Sequence, residues 1–389
     1  MRRGWEGTAF VQPGNGTTGC SRRRSSFHST RPCWGAGHRP DKDISMGAQT
    51  TLPLVSVVIA MRNEEALIGK CLNSLAVQDY PAELLEILVI DGRSSDRSRE
   101  IVSEMKGKLP HLRLLDNERK ISPVAFNIGI NNAKGEILTV ISAHCYLTSD
   151  YVSRCVEYLA KTGADCVGGR IETIGENRTA KAIALAMSSP FGVGDALFRY
   201  SQEEQFVDTL AFGAYRRDVF ERIGLFDEEL AGSEDDEFNY RLRGHGGKLF
   251  LAPAIRSFYY GRTSLRDLWT QYFRYGFGKV RVVQKHPRLV RVRHLIPAVF
   301  VASLVTAAVL SPFSSPAALL FTLIVCSYVV ISLALSVRIA ARKGWQHLPL
   351  LPLAFACLHF AYGTGFLLGL VHFLLVGRRR IGRKNAQLE

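Results

Sequence analysis

The sequence predicts an α/β domain built on a mainly parallel β-sheet and followed by C-terminal transmembrane helices. From residue 54 onward, short apolar runs alternate with segments that have helical periodicity. The runs are continuous and rich in branched side chains, which is typical of strands covered on both faces. Alternation of strand and helix favours a parallel sheet. In the last third of the chain, three apolar segments are longer than a soluble helix requires.

Four strands and three helices are predicted in the first half of the domain. The second helix follows Ser and Asp residues suited to capping, and the third opens with Ser122 and Pro123. The predicted strands are residues 54–60 (LVSVVIA), 85–91 (LEILVID), 113–116 (RLLD) and 136–142 (EILTVIS). The first two helices are predicted within EEALIGKCLNSLAVQ and SSDRSREIVSEM.

Polar residues follow each of the four predicted strands. The carboxyl ends of parallel strands lie at one edge of a sheet, and ligands bind at that edge. We therefore expect these side chains to converge on one site. The residues at the four ends are Arg62, Asn63 and Glu64; Asp91 and Gly92; Asp116 and Asn117; and Ser142, Ala143 and His144.

The 389-residue chain carries a formal net charge of +14 and eight cysteines. The cysteines form no CxxC pair, which argues against a zinc module or a disulfide framework and indicates reduced thiols. Residues 1–50 are rich in Arg, Ser and Gly and lack the apolar core of a secretory signal. They are predicted to be a disordered basic extension, with Met46 as an alternative start.

Residues 263–294 form an aromatic and basic stretch with helical spacing. In a soluble protein this pattern would indicate a nucleic-acid surface, but here a long apolar segment follows directly. We therefore predict amphipathic helices at the membrane surface, beside anionic headgroups, and no nucleic-acid partner. A transmembrane region is predicted at 295–377, with apolar segments at 295–310, 317–337 and 348–376, followed by a basic tail at 378–389.

The charges that flank these segments predict a multi-pass protein with its α/β domain on the cytoplasmic side. Basic residues precede the first segment and follow the second at Arg338, Arg342 and Lys343, whereas the loop between them has none. The basic tail satisfies the same rule only if the third segment folds back as a hairpin near residues 363–365. A single crossing is the alternative.

Three groups of polar residues are candidates for chemistry, and each also has a structural interpretation. Asp91 can accept hydrogen bonds from a base or a ribose, or it can cap a loop. One of the four acids at 234–237 can be a general base, or all four can lie in the solvated first turn of a helix. Gln271 and Arg274 share a helix face that can bind a diphosphate or can be a basic surface.

Five motifs follow one another along the chain: VSVVIAMRNEEALIGKCLNSL, EILVIDGRSSDRSREIV, NIGINNAKGEILTVISAH, EDDEFNYRLR and QYFRYG. In this order and spacing they resemble the inverting family-2 glycosyltransferases of GT-A fold. SSPFGVG and FGAYRRDVFERIGLFDEEL are similar to the branch of succinoglycan-type exopolysaccharide glucosyltransferases. The resemblance covers residues 53–287 and implies a GT-A glycosyltransferase domain at 51–262.

The resemblance implies a membrane-anchored, inverting hexosyltransferase. It would move a sugar from a nucleotide-sugar, UDP-glucose or a relative, to a lipid-linked saccharide, and Asn63, Glu64 and Asp91 would hold the uridine part of the donor. Single addition is expected, because so few spans leave no room for an export pore. The alternatives are an inactive nucleotide- or glycan-binding pseudo-transferase, and a transporter or scaffold, which the scarcity of polar residues in the apolar segments disfavours.

The same resemblance assigns the remaining roles around the acceptor. Asp235 would be the catalytic base that deprotonates the acceptor hydroxyl, and Glu234 would lie on the acceptor side. Gln271 and Arg274 match the QxxR of the family's QxxRW motif and would line the acceptor and diphosphate side. Tyr275 stands where the motif usually has Trp.

A divalent cation, Mg²⁺ or Mn²⁺, is also implied. The tripeptide SAH occupies the position of the family's DxD motif, so His144 would be the metal ligand on the donor diphosphate. Ser142 replaces the first Asp and offers only a neutral oxygen to a hard cation. The alternatives are weak metal binding, compensation by Asp116 or by the diphosphate, and an inactive protein.

Overall fold

The computed structural model describes residues 52–289 and 292–385. The predicted N-terminal extension at 1–50, including Met46, lies outside the described residues. The side chains of the predicted basic tail at 378–389 lie outside them as well.

Strands and short helices alternate through the first part of the described chain, and long helices form the rest. The strands are β1 (Val55–Met61), β2 (Leu85–Asp91), β3 (Leu112–Asp116), β4 (Ile137–Ser142), β5 (Cys145–Leu147), β6 (Cys166–Ile174), β7 (Gln205–Val207), β8 (Ala214–Arg216) and β9 (Leu249–Tyr260). The helices are α1 (Ile68–Ala76), α2 (Ser98–Glu104), α3 (Ser122–Asn132), α4 (Tyr151–Thr162), α5 (Arg178–Met187), α6 (Pro190–Val193), α7 (Arg217–Ile223), α8 (Glu234–Gly244), α9 (Leu265–Lys285), α10 (Val292–Leu310), α11 (Ser315–Lys343) and α12 (Leu351–Asn385).

These strands form one mixed sheet in the order β3-β2-β1-β4-β8-β6-β9-β5, with β7 paired to β9. Strands β3, β2, β1 and β4 run parallel to one another, whereas β8 is antiparallel to β4. The predicted α/β fold with a mainly parallel sheet is confirmed. Each of the four predicted strands lies within about one residue of its predicted bounds, which is the usual uncertainty of a strand end.

The chain reverses its direction of travel across the sheet at β1. It runs outward from β1 through β2 to β3 and then returns to the other side of β1 with β4. Open α/β sheets bind ligands at such a switch point. The register places Met61 beside Asp91 and Ala60 beside Ser142, so three strand ends lie at one level. Apolar clusters on both faces bury these strands and fix their ends.

Three helices in the described part of the chain are long and apolar enough to cross a membrane: α10, α11 and the segment Leu351–Leu374 of α12. Helix α12 continues without a break through residues 363–365. The hairpin alternative for the third apolar segment is therefore wrong, and its glycines have another use.

The glycines of α12 and α9 allow helices to approach closely. A Cβ atom at Gly363 would lie 2.3 Å from the carbonyl oxygen of Pro297 in α10, and one at Gly365 would lie 2.2 Å from that of Phe273 in α9. From the other side, a Cβ at Gly276 of α9 would lie 2.1 Å from a backbone oxygen of α12. Small residues at both surfaces are the usual device for tight helix packing in membranes.

One apolar cluster joins the α/β domain to the apolar helices. Ile183 and Met187 of α5 pack in it with Leu268 of α9. Ala340 of α11 and Phe355 of α12 complete its buried centre. Helices from the α/β domain and from the predicted membrane region thus share a core, and the domain boundaries at 262 and 294 stay predictions from the sequence.

Candidate active site

The loops that follow β1 and β2 are joined by hydrogen bonds. The backbone N–H of Asn63 donates to Ser94 Oγ at 2.9 Å, and Asn63 Oδ1 accepts from the backbone N–H of Ser95 at 2.9 Å. Asn63 has a φ of +53°, a conformation that Asn tolerates better than most residues. Asp91 is fully buried and accepts from Ser94 Oγ at 2.5 Å. The predicted nucleotide-binding residues therefore lie together.

Asp116, which was expected as one possible substitute for Ser142 in metal binding, is bonded to an arginine. Arg99 Nη1 donates to Asp91 at 2.5 Å and to Asp116 at 2.6 Å, so one guanidinium bridges β2 and β3. Strand β3 is separated from β4 by β2 and β1, which places it about 14 Å away at the usual strand spacing. Asp116 therefore does not compensate for Ser142 at the end of β4, and that alternative is wrong.

His144 lies between β4 and β5, and two neighbours orient its ring. Its Nδ1 lies 2.9 Å from Glu64 Oε1, and its ring meets the Tyr259 ring edge-on with centroids 5.1 Å apart. An ionised carboxylate only accepts hydrogen bonds, so this contact places the imidazole hydrogen on Nδ1. Nε2 is then left to accept a hydrogen bond or to bind a cation, as in metal sites where a carboxylate orients the ligating histidine.

The donor atoms near His144 suit a cation that a substrate helps to hold. No group of three or more His, Cys, Asp or Glu residues in the described part of the chain could hold a metal alone. The His144 imidazole, the Glu64 carboxylate that contacts it and the Ser142 hydroxyl two residues before it have suitable chemistry. Mg²⁺ commonly takes few protein ligands and completes its shell with water and substrate phosphates. The residues fit a metal bound together with a diphosphate.

The four acids at the start of α8 have different partners. Glu234 is buried, and its Oε1 accepts a hydrogen bond from the Ser122 hydroxyl at 2.5 Å. Its Oε2 is buried without a hydrogen-bond partner in the described part of the protein. Glu237 is buried in a two-pronged ion pair with Arg241, at 2.6 and 3.1 Å. The interpretation of this turn as fully solvated is therefore wrong.

Asp235 and Asp236 differ most clearly in their hydrogen-bond and ion-pair partners. Asp236 accepts from the Thr209 hydroxyl at 2.9 Å and forms an ion pair with the buried Lys279. Asp235 receives no hydrogen bond from the residues that the structure describes. Glu234, Asp236 and Glu237 each accept a hydrogen bond, whereas neither carboxylate oxygen of Asp235 accepts one from a described residue.

These environments push the two pKa values apart. Burial, together with the negative charges of Glu234 and Asp236, raises the pKa of the Asp235 carboxyl well above its usual range. Burial alone would also favour the neutral form of Asp236, but the charge and hydrogen bond of Lys279 hold the pKa of Asp236 below its usual range. A carboxyl with a raised pKa beside one that stays ionised is a pattern common in acid–base sites.

A chain of contacts links the α8 end of the site to the strand ends. The Tyr275 ring lies 4.0 Å from where a Cβ of Gly232, just before α8, would be. The side-chain amide of Gln271 donates to the Tyr275 hydroxyl at 2.9 Å and to the Tyr259 hydroxyl at 3.2 Å. Tyr259 in turn contacts His144. Gln271 therefore connects α9 to both sides of the site.

The two residues of the QxxR motif differ in their surroundings. Gln271 is buried among tyrosines, and burial raises the pKa of the Tyr275 hydroxyl, so that group stays protonated. Arg274 is exposed and has no hydrogen bond or ion pair with the described residues. Sequence reasoning missed Lys279, although its spacing of eight residues from Gln271 on a helix places both on one face.

Comparison with known proteins agrees with this geometry. The profile of Glycosyl transferase family 2 matches residues 56–224, which include the strand ends described above. Succinoglycan biosynthesis protein ExoA of Rhizobium meliloti is 30% identical over 327 residues, covering 84% of this chain and 96% of that protein. A dolichyl N-acetyl-alpha-D-glucosaminyl phosphate 3-beta-D-2,3-diacetamido-2,3-dideoxy-beta-D-glucuronosyltransferase of Methanococcus voltae is 34% identical, over 59% of this chain and 74% of its own.

A solved structure gives the same fold. The mannosyltransferase PcManGT of Pyrobaculum calidifontis, solved with GDP-Man and Mn²⁺, superposes with a TM-score of 0.53. It is 19% identical, and the match covers 80% of this chain and 88% of that one. The α/β domain thus has the GT-A fold expected from its motifs. With the extent of the match to the Rhizobium protein, it follows that the chain is a glycosyltransferase and belongs to glycosyl transferase family 2.

Proposed function

We propose that this protein transfers a hexose from a nucleotide-sugar, UDP-glucose or a close relative, to a saccharide carried by a membrane lipid, with inversion at the anomeric carbon. The observation that carries the proposal is the carboxylate of Asp235. It has no protein hydrogen-bond donor among the described residues, and burial raises its pKa. Gly232, three residues before it, lies beside Tyr275, which Gln271 links by hydrogen bonds to Tyr259 near the strand ends.

In this proposal Asp235 is the catalytic base. It takes the proton from an acceptor hydroxyl, whose oxygen attacks the anomeric carbon from the side opposite the leaving group. A carbon–oxygen bond to the acceptor forms as the bond to the nucleoside diphosphate breaks, and the diphosphate leaves with the electron pair. An α-linked donor therefore gives a β-linked product. Glu234, with one buried oxygen free of protein partners, is placed to accept a hydrogen bond from the acceptor.

The strand ends are proposed to hold the donor. Asn63, Glu64 and Asp91 lie on joined loops at the switch point of the sheet and would bind its nucleoside part. Gln271 and Arg274 would lie on the acceptor and diphosphate side. Arg274 is free of ion pairs with the described residues, so its guanidinium can approach a phosphate without losing an existing partner.

A divalent cation, Mg²⁺ or Mn²⁺, would be held by His144 Nε2 with help from the Ser142 hydroxyl. When bound, such an ion neutralises negative charge on the diphosphate. Glu64 contributes by holding the His144 ring with Nε2 turned away from the carboxylate. The solved relative named with GDP-Man and Mn²⁺ has the same fold, which supports a divalent ion in this site.

The acceptor is proposed to be presented at the cytoplasmic face of the membrane. Three helices are long and apolar enough to cross a bilayer, and α9, which carries Gln271, packs tightly on α12, the third of them. Arg338, Arg342 and Lys343 at the end of α11 favour the cytoplasm for the side that holds the α/β domain. One relative is named as a succinoglycan biosynthesis protein and another as a transferase that acts on a dolichyl phosphate sugar, which supports a lipid-linked saccharide as the acceptor.

The test is release of nucleoside diphosphate from UDP- and GDP-sugars by detergent-solubilised protein supplied with a membrane lipid extract, with Mn²⁺ or with EDTA. We expect release that Asp235→Asn reduces by a factor of at least about 100, the scale of a general base. Glu229→Gln is the matched control, since Glu229 is an exposed acid paired with Lys285 and Arg281. Binding of UDP by the wild-type protein without any release would instead indicate an inactive binding protein.

A further inference from the structure

Arg199 lies beside the candidate site on an element that none of the motifs contains. It ends a short 3₁₀ turn, Leu197–Arg199, between α6 and β7, and its side chain is half-buried. Its Nη1 donates to Thr173 Oγ1 at 3.3 Å, and its guanidinium carbon lies 5.5 Å from the centroid of the Tyr259 ring. Thr173 and Tyr259 are paired in the β6–β9 ladder, so both contacts arise from one level of the sheet.

Arg199 has no carboxylate partner among the described residues. Other arginines nearby do have one, since Arg170 and Arg256 share Glu172. A guanidinium carries five N–H donors, and the structure gives Arg199 a single acceptor, the Thr173 hydroxyl. A half-buried charge normally has a counter-charge, because removing a cation from water without one is costly. The environment of Arg199 is therefore suited to an anion that comes from outside the protein.

The Tyr259 ring connects Arg199 to the candidate site. His144 meets this ring edge-on at 5.1 Å, and the Tyr259 hydroxyl accepts from Gln271. Arg199 therefore shares its aromatic neighbour with the proposed metal ligand and with the QxxR glutamine. A phosphate group bound beside the Tyr259 ring would be within reach of Arg199 and of the proposed metal ligand His144.

The turn that carries Arg199 is also held in place. Asp195, four residues earlier, forms an ion pair with Arg293 at the start of α10, at 2.6 Å. The acid four residues before Arg199 is thus already paired with another arginine. The turn is tied to the first apolar helix, which limits how far Arg199 can move to find another partner.

From these contacts we propose that Arg199 binds a phosphate oxyanion of a substrate, either in the diphosphate of the nucleotide-sugar or in the phosphate that links the acceptor saccharide to its lipid. The planar guanidinium fork matches two oxygens of such a group. The inference deepens the proposed function and rests on it.

The test compares Arg199→Ala and Arg199→Lys with Arg256→Ala, which removes an arginine of the same sheet that is already paired with Glu172. UDP and uridine binding are measured by calorimetry, together with KM for the donor and for the lipid acceptor. If the donor diphosphate is the ligand, Arg199→Ala weakens UDP binding roughly ten- to a hundredfold and leaves uridine binding unchanged. Arg199→Lys keeps the charge but not the planar guanidinium fork, so it is expected to lose less UDP affinity than Arg199→Ala. Arg256→Ala is expected to leave UDP affinity unchanged.

If the acceptor phosphate is the ligand, UDP binding is unchanged and KM for the lipid acceptor rises by a similar factor. Unchanged UDP affinity and unchanged KM values in Arg199→Ala would overturn the inference while leaving the proposed function intact. Equal losses of UDP and uridine binding with a lowered unfolding temperature, not relieved in Arg199→Lys, would assign Arg199 a structural role instead. Absence of nucleotide release and of UDP binding in the wild-type protein would overturn the proposed function, and this inference with it.

Discussion

Glu64 and His144 form a hydrogen-bonded pair across the ends of β1 and β4, with Oε1 2.9 Å from Nδ1. Replacement of Glu64 by Gln allows the amide N–H₂ to face Nδ1, which favours the tautomer with its hydrogen on Nε2. That nitrogen then no longer binds a cation. We expect Glu64→Gln to weaken Mn²⁺ binding in the presence of UDP about 10- to 100-fold, the usual effect of losing such a partner.

The measurement is an electron paramagnetic resonance titration of free Mn²⁺. Glu65→Gln serves as the control, because Glu65 accepts a hydrogen bond from the backbone N–H of Arg97 in the adjacent loop and forms no hydrogen bond with His144 in the described structure. Equal affinities in the Glu64→Gln and Glu65→Gln proteins would show that Glu64 does not position the ligand.

The raised pKa of Asp235 predicts a pH dependence of transfer. A base must be ionised, so kcat/KM should fall as the pH drops through the raised pKa of Asp235, well above the value near 4 of an ordinary Asp. Glu234→Gln removes a neighbouring negative charge that contributes to the shift, so the acidic limb should move to lower pH. The check is a pH–rate profile of both proteins; an acidic limb at the same pH in both would contradict this origin of the shift.

The ion pair between Lys279 and Asp236 predicts a loss of stability when it is broken. Lys279 is 4% exposed, and Lys279→Met would leave the Asp236 carboxylate without its cation. Breaking a fully buried pair from one side costs about 3 to 5 kcal/mol, but the Asp236 side chain is 36% exposed, so solvent screening makes the cost here smaller. We expect a lower unfolding temperature for Lys279→Met in detergent, and partial recovery in the double variant Lys279→Met, Asp236→Asn, because replacing both partners costs less. If the double variant showed no recovery, the loss of stability in Lys279→Met would come from lost packing and not from the unpaired charge of Asp236.

Close packing of α9 on α12 predicts different effects for two glycines of the same helix. A Cβ at Gly276 would lie 2.1 Å from the Tyr362 carbonyl oxygen, so Gly276→Ala must push the helices apart. At Gly278 the nearest atom would be 3.9 Å away, so Gly278→Ala should be neutral or slightly stabilising. Thermal unfolding in detergent should show a loss of about 1 to 3 kcal/mol for Gly276→Ala, as for other overpacked sites. Similar unfolding temperatures for the two variants would refute the packing argument.

The strand ends could be predicted from the sequence because they depend on local patterns. Continuous apolar runs mark buried strands, and parallel connections bring their carboxyl ends to one edge. Asn63, Asp91 and His144 lie at that edge for this reason: Asp91 ends β2, and Asn63 and His144 come two residues after β1 and β4.

The difference between Asp235 and its neighbours could not be predicted in this way. It depends on partners far along the chain: Ser122, which is 112 residues from Glu234, and Lys279, which is 43 residues from Asp236. The four acids look equivalent in sequence, and tertiary contacts decide which one keeps a carboxylate free of the described donors.

The role of the glycines at 363 and 365 could not be decided from the sequence for a related reason. The charges of the tail allowed a hairpin there, and glycine is compatible with a bend in a helix. Between packed membrane helices the same residue removes a side chain where two backbones meet, and the helix continues. Only the neighbouring helices distinguish these two uses.

The apolar cluster of Ile183, Met187, Leu268 and Phe355 has a consequence for how this protein can be altered. Helices α9, α11 and α12 cannot be removed as a separate module. Cutting the chain before α9 would expose the apolar side of α5 to water and leave a surface prone to aggregation. Fusion of the α/β domain to a foreign anchor would face the same obstacle. Variants of the proposed donor-binding edge must therefore be made in a chain that retains α9, α11 and α12.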